Sequence, residues 1–237
     1  MKTGVEKLTD VMAHFLGHTA IRLPDDVIAK LEELRDKEDH PLAKVIYRTM
    51  FRNQRLAEEL QRPSCQDTGV PQYWVRCGTA FPYINELEDL LREATVQATF
   101  ETPLRHNSVE TFDEYNTGKN VGKGTPTVWW DIIPHSDQCE IYTYLSGGGC
   151  SLPGCATVLM PGEGYEGIVK FVMDRMTSYG LNACPPLLLG IGIAGSAEVA
   201  ATLSKRALMR PVDSHNSNPT GAEFEKLIKD GLNELNL

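Results

Sequence analysis

Residues 127–145 read TVWWDIIPHSDQCEIYTYL, and this stretch decides the fold class. Thr127 to Ile133 and Glu140 to Leu145 are dense in β-branched and aromatic side chains, which suit a pleated, half-buried surface. The His, Ser and Asp residues between them punctuate the run as a turn does. Two paired strands are predicted here.

Upstream, the periodicity changes from two to that of a helix. Pro24-Asp25-Asp26 opens a pattern with Ile28, Leu31 and Leu34 on one face, and Pro41 opens another with Leu42, Val45, Ile46 and Phe51. The N-terminal quarter therefore reads as two or three helices. From Ile84 to Phe100 the helical period returns, with acids near its start where the helix dipole favours them. Downstream, Gly164 to Ser178 has helical spacing, Leu187 to Ile193 reads as a buried strand, and Ser196 to Leu208 and Gly221 to Leu235 read as helices. Helices first, then strands mixed with helices, predict an α+β fold rather than a doubly wound sheet. No internal repeat, low-complexity tract or strong linker divides the chain, so residues 1–237 are expected to form a single domain. Asp213 to Pro219 is its most loop-like segment.

Length and composition narrow the function classes. A chain of 237 residues buries about 70% or more of its unfolded surface and needs no disulfide or metal merely to fold. Apolar residues make up 41% and charged residues 23%, and no apolar run approaches the ~18 residues of a membrane span. The first residues, MKTGVEKLTDVMAHFLGH, lack the continuous apolar stretch of a signal peptide, so the expected location is the cytoplasm. The six cysteines are then expected as thiols, some of them metal ligands, rather than as a disulfide framework. A net charge of −9 without clustered Lys and Arg argues against a nucleic-acid partner. It leaves room for a small anion, because bidentate arginine pairing is local.

Four segments hold residues suited to chemistry, and each also has a plainer reading. Cys65-Gln66-Asp67-Thr68-Gly69 crowds a thiol, an amide, a carboxylate and a hydroxyl ahead of a glycine, which is either a compact polar site or an Asx turn with an incidental cysteine. Cys184 is followed by Pro185 and Pro186, which hold the thiol at a rigid corner, although free cysteine is also a common buried apolar residue. Gly147-Gly148-Gly149-Cys150 lets backbone N–H groups approach an anion, or is a flexible loop; Cys150 and Cys155 lack the second ligand pair of a zinc ribbon. Arg105, in Leu104-Arg105-His106-Asn107 ahead of Asn116-Thr117-Gly118-Lys119-Asn120, is either a carboxylate clamp or a surface arginine in a polar loop.

Gly190-Ile191-Gly192-Ile193-Ala194-Gly195 matches the dinucleotide-binding fingerprint, and Asp213 lies at a suitable distance beyond it. The strands of a βαβαβ half-sheet are not evident around it. The glycines are read instead as allowing close helix–strand packing, or as aiming a helix N-terminus at a carboxylate.

Taken together, CQDTG at 65–69, LRHN at 104–107, NTGKN at 116–120, GGGC at 147–150, VLMPGEGYEGIVKFV at 158–172, NACPP at 182–186 and GIGIAGSAE at 190–198 make the chain resemble the α subunits of L(+)-tartrate dehydratases and class I fumarases over nearly its whole length. GGGC followed by LPG is more similar to the tartrate enzymes, since fumarases more often carry serine after the glycines.

The resemblance implies an iron–sulfur hydro-lyase α subunit that reversibly dehydrates a hydroxy-dicarboxylate, L-tartrate to oxaloacetate or malate to fumarate. It implies a [4Fe–4S] cluster with Cys65 and Cys184 as ligands, substrate carboxylates on Gln66, Arg105 and the backbone of Gly149, and Asp67 in proton transfer. In the family a third cluster cysteine lies in a further C-terminal segment resembling V-x-C-W-A-x-R-R, which is not found before Leu237. The third ligand is therefore expected from another polypeptide, or from a local thiol such as Cys150 or Cys139, unless the chain has no working cluster. A β subunit is the expected partner, in a hetero-oligomer, and the chain alone is expected to be an incomplete enzyme. The alternative is a cluster-free relic or binding module that keeps the fold without catalysis.

Overall fold

The computed structural model describes residues 2–235, and the chain divides into two compact units, residues 1–147 and 148–237. The first unit contains α1 (Gly4–Ile21), α2 (Asp25–Lys37), α3 (Pro41–Leu60), β1 (Val70–Gly78), α4 (Leu87–Glu101), β2 (Val109–Glu110), β3 (Tyr115–Asn116), β4 (Thr127–Ile133) and β5 (Cys139–Ser146). The second contains the single turn α5 (Gly148–Ser151), α6 (Gly164–Tyr179), α7 (Ala197–Leu208) and α8 (Pro219–Glu234). The architecture is α+β, with N-terminal helices, as the sequence indicates.

A capping box starts α1: the Thr3 hydroxyl accepts from Glu6 N at 3.2 Å, and the Glu6 carboxylate accepts from Thr3 N at 2.6 Å. Its apolar stripe, Met12, Ala13, Leu16 and Ala20, meets Leu87, Leu90, Leu91, Ala94 and Ala98 of α4. Both helices lie on one face of the sheet, where Tyr73, Val75 and Cys77 complete a single core.

The sheet corrects the predicted strand pairing. β4 and β5 do not pair with each other; β1 lies between them, parallel to β4 and antiparallel to β5. The five-residue link from Ile133 to Cys139 spans two strand spacings, about 9.5 Å, and closes over the end of β1. There Thr79 N donates to Ile133 O at 3.1 Å, Ala80 N to Ser136 O at 2.9 Å and Gly78 N to Gln138 O at 2.8 Å. On the opposite sheet face Trp74 stacks on Trp129, with centroids 5.7 Å apart, and its Nε1 donates to Asp131 at 2.9 Å.

The second unit has a small core of Val172, Met176 and Ile228, lined by Val169, Ile191, Phe224 and Leu232. Asn218 caps α8 by accepting from Thr220 N at 3.0 Å, so part of the predicted loop is a helix start. Leu187 to Ile193, predicted as a buried strand, joins no sheet, and Leu187, Leu188, Leu189 and Ile193 are exposed. The segment lies along α7 instead. A Cβ at Gly192 would stand 2.0 Å from Ala200 O, and one at Gly190 2.3 Å from Ser204 O, so only hydrogen fits at either position. The glycines of the apparent nucleotide fingerprint thus serve close packing against a helix.

Candidate functional site

The loop carrying CQDTG is tied down before it begins. Ser64 N donates to Ala20 O at 2.9 Å, at the end of α1, and Asn53 Nδ2 of α3 donates to Ser64 O at 2.6 Å. Cys65 and Gln66 emerge exposed from this anchor, with the thiol sulfur 3.7 Å from Gln66 Oε1. Asp67 is half-buried and Thr68 buried. Gly69 ends the turn at φ +84°, with its Cβ position 2.7 Å from the Ser146 backbone, so a side chain there would be both strained and obstructed.

Arg105, which follows α4 in the chain, reaches the same loop. Its backbone N donates to Thr68 Oγ1 at 3.0 Å, and two residues on, Asn107 Nδ2 donates to Asp67 Oδ1 at 3.3 Å and to Gly69 O at 3.1 Å. The Arg105 side chain is exposed, and no acid among the described residues pairs with it. The backbone of a residue with a planar, two-pronged donor is thereby tied to the loop whose carboxylate accepts from a neighbouring amide. Such a pairing can hold one end of a dicarboxylate while a base addresses the adjacent carbon.

Behind these groups lies a side chain that the sequence reading included only within a motif. Asn120 is fully buried, at φ +55°. Its Oδ1 accepts from Asn107 N at 2.7 Å, and its Nδ2 donates to Arg105 O at 3.0 Å and to Thr99 Oγ1 at 3.2 Å. Thr99 in turn donates to Thr95 O at 2.7 Å, within α4. Asn116 holds the intervening residue, its Nδ2 donating to His106 O at 2.8 Å. Repeated Asn in LRHN and NTGKN was the available signal for this network, since Asn both tolerates a left-handed backbone and bonds neighbouring main chain.

Gly149, Cys150 and Cys184 belong to the second unit, Cys139 to the first. Gly149 and Cys150 lie exposed in the short turn α5, where Leu152 N donates to Gly149 O at 3.3 Å. Cys184 is exposed at φ 60° and ψ 73°, directly after a 3₁₀ turn over Gly180–Ala183 and before the two prolines. The corner predicted from its sequence is present. Cys155 is exposed, Cys139 partly buried and Cys77 buried, and none of the six thiols is in a disulfide. Among the described residues no group of three or more His, Cys, Asp or Glu side chains is arranged to hold a metal ion. Cys65 and Cys184 are each a thiol of the type that suits a thiophilic group, Cys65 exposed after the anchored Ser64 and Cys184 exposed before two prolines.

A family model described as fumarate hydratase (Fumerase) matches residues 9–237. The L(+)-tartrate dehydratase subunit alpha of Escherichia coli (strain K12) is 51% identical over 233 residues, which cover 98% of this chain and 77% of that protein. The protein of the same name from Shigella boydii serotype 4 (strain Sb227) is likewise 51% identical, with the same coverage.

Proposed function

This chain belongs to the fumarate hydratase (Fumerase) family, and from that premise we propose that it is the α subunit of an iron–sulfur hydro-lyase acting on a hydroxy-dicarboxylate. The observation that carries the reading is the cluster of Asp67, Thr68 and Arg105, joined within hydrogen-bond distance through Asn107 and Asn120. Dehydration removes hydroxide from one carbon and a proton from the next. Arg105 takes a substrate carboxylate on its guanidinium fork, Gln66 and the Gly149 backbone N–H contact the carboxylates, and Asp67 exchanges the proton at the carbon beside the hydroxyl.

Cys65 and Cys184 would hold the [4Fe–4S] cluster, with the third ligand outside this chain or from Cys150. When bound, that group supplies a Lewis-acidic iron that eases loss of the substrate hydroxyl. In this reading residues 1–237 work as a single hydro-lyase α domain. The name "subunit alpha" carried by the relatives supports a β subunit as partner in a hetero-oligomer. No helix among the described residues is long and apolar enough to cross a membrane; the proposed location of the assembly is the cytoplasm. The identity to tartrate enzymes favours L-tartrate over malate or fumarate as substrate.

The alternative is a cluster-free relic or binding module that keeps the fold without catalysis. Co-expression with the β subunit, followed by anaerobic reconstitution with iron and sulfide, separates the two. The hydro-lyase reading expects a brown protein with broad visible absorbance and tartrate-dependent release of water. A colourless, inactive complex that still binds tartrate would establish the module.

A further inference from the structure

We infer that Asn120 is a positioning residue that sets the carboxylate-binding Arg105 and the Asp67-orienting Asn107 in one rigid relation; the inference rests on the hydro-lyase reading for its kinetic consequence. A loop that presents two functional groups needs a fixed reference, and here α4 provides it. Thr95, Thr99, Leu91, Ala94 and Ala98 of that helix are all essentially inaccessible to solvent. Thr99 Oγ1 receives Asn120 Nδ2 at 3.2 Å, so the asparagine amide is referred directly to the packed helix.

From that point Asn120 brackets His106. It donates to the carbonyl before it, Arg105 O at 3.0 Å, and accepts from the amide after it, Asn107 N at 2.7 Å. These two main-chain groups fix the peptide planes from which the Arg105 and Asn107 side chains leave. Asn107 then passes the constraint to the carboxylate, its Nδ2 reaching Asp67 Oδ1 at 3.3 Å. Asn120 touches neither Asp67 nor the Arg105 guanidinium in this arrangement, so it acts through its neighbours. Only an amide supplies both an acceptor for Asn107 N and donors for Arg105 O and Thr99 in one plane. The left-handed backbone at φ +55° further favours asparagine at this position.

The two halves of the amide separate experimentally in the assembled, reconstituted αβ enzyme. Asn120→Asp keeps an acceptor for Asn107 N but turns a second acceptor toward Arg105 O, and is expected to raise KM for the dicarboxylate about tenfold with kcat within about twofold. Asn120→Ala removes both halves, and is expected to raise KM and to lower kcat, each about tenfold. Met12→Ala, in the core between α1 and α4, serves as a control for lost stability, with a lower Tm and unchanged KM and kcat. Should the Asn120 variants lower Tm while KM and kcat stay as in the control, the residue is structural only and the inference falls.

If the wild-type complex neither binds nor dehydrates a dicarboxylate, the hydro-lyase reading fails by itself. Amide hydrogen exchange on the full chain then decides the positioning role. Asn120→Ala should speed exchange at Arg105 and Asn107 while α1 and α4 keep their protection. No change at those amides, or equal loss throughout α4, overturns the inference.

Discussion

Asn107 Nδ2 lies 3.3 Å from Asp67 Oδ1 and 3.1 Å from Gly69 O, so one amide bridges the carboxylate and the backbone turn that carries it. A carboxylate bonded in this way has its second oxygen aimed by the first. Asn107→Ala removes one of the bonds that orient Asp67 and is expected to lower kcat by about tenfold, with a smaller change in KM, because a base must stand in line with the proton it takes. Steady-state kinetics of the reconstituted complex check it. An equal loss through KM alone would show that Asn107 serves substrate binding rather than the base.

Arg105 offers a cleaner separation of folding from binding. Its backbone is fixed through N to Thr68 Oγ1 and through O to Asn120 Nδ2, whereas its side chain is exposed. Arg105→Lys leaves both backbone bonds in place, so Tm should hold. Lysine cannot reproduce a planar two-point contact, and dicarboxylate affinity should fall by about tenfold or more. Titration calorimetry with tartrate beside a thermal melt gives both numbers from the same preparation.

Which parts of this could be read in the sequence follows from how local each signal is. Thr127 to Ile133 declared itself because its β-branched and aromatic run is continuous. β1 did not, since Pro71 argues against a central strand, yet Tyr73, Val75 and Cys77 face the core and the strand is central. The order β4-β1-β5 depends on contacts between distant segments, which local pattern does not encode. Leu187 to Ile193 misled for the converse reason: an apolar run suits a strand, but Gly190 and Gly192 press it against a helix. At the site, Cys65, Asp67 and Arg105 stood out as chemical types. Thr68 and Asn120 bond to the main chain of Arg105, 37 and 15 residues away in sequence, and no short motif reports such pairings.

The thiols should divide by exposure. Cys65→Ser and Cys184→Ser are each expected to lower iron and sulfide bound per reconstituted complex by more than half, as removal of a cubane ligand does. Cys77 is fully buried, opposite Cys139 in the β1–β5 register, and faces the core. Cys77→Ser should leave iron content unchanged while costing stability, since it places a hydroxyl among apolar side chains. Colorimetric iron and sulfide determinations beside a thermal melt test the division. Unchanged iron in the Cys184 variant would remove that residue from the ligand set.

Alkali should destabilise the first unit through two groups. Burial pushes the Tyr73 phenol up to about 12, offset in part by its hydrogen bond with Thr95, and burial followed by the neighbouring Cys77 pushes the Cys139 thiol up to about 12. Both folded values lie above the unfolded ones, about 10 for tyrosine and about 8.5 for cysteine. The folded chain therefore holds these protons more tightly. Their stabilisation is complete below the unfolded values and is lost as pH rises toward the folded ones. For Tyr73 the loss amounts to about 3 kcal/mol. Tyr73→Phe should flatten the fall in urea-unfolding free energy above pH ~10. Thr95 tolerates the change, because its hydroxyl still donates to Leu91 O at 2.8 Å. An unaltered alkaline limb would mean that other groups dominate it.

The glycines of residues 190–195 distinguish packing from ligand binding within a single hexapeptide. A Cβ at Gly192 would meet Ala200 O at 2.0 Å and Ser204 N at 2.7 Å, both backbone atoms of α7 that cannot move aside as a side chain tip would. Gly195 has nothing within 4 Å of its Cβ position. Gly192→Ala must therefore push the segment off the helix, and is expected to destabilise the second unit by about 2–4 kcal/mol, as overpacking against rigid neighbours does. Gly195→Ala should be neutral or slightly stabilising, since alanine restricts the unfolded chain more than glycine. A phosphate-binding glycine loop predicts a different pattern: both substitutions would weaken nucleotide binding and neither need alter folding much. Thermal melts of the two variants, with and without NAD, decide between these patterns. Equal tolerance of alanine at 192 and 195 would show that the contact with α7 is not what requires glycine.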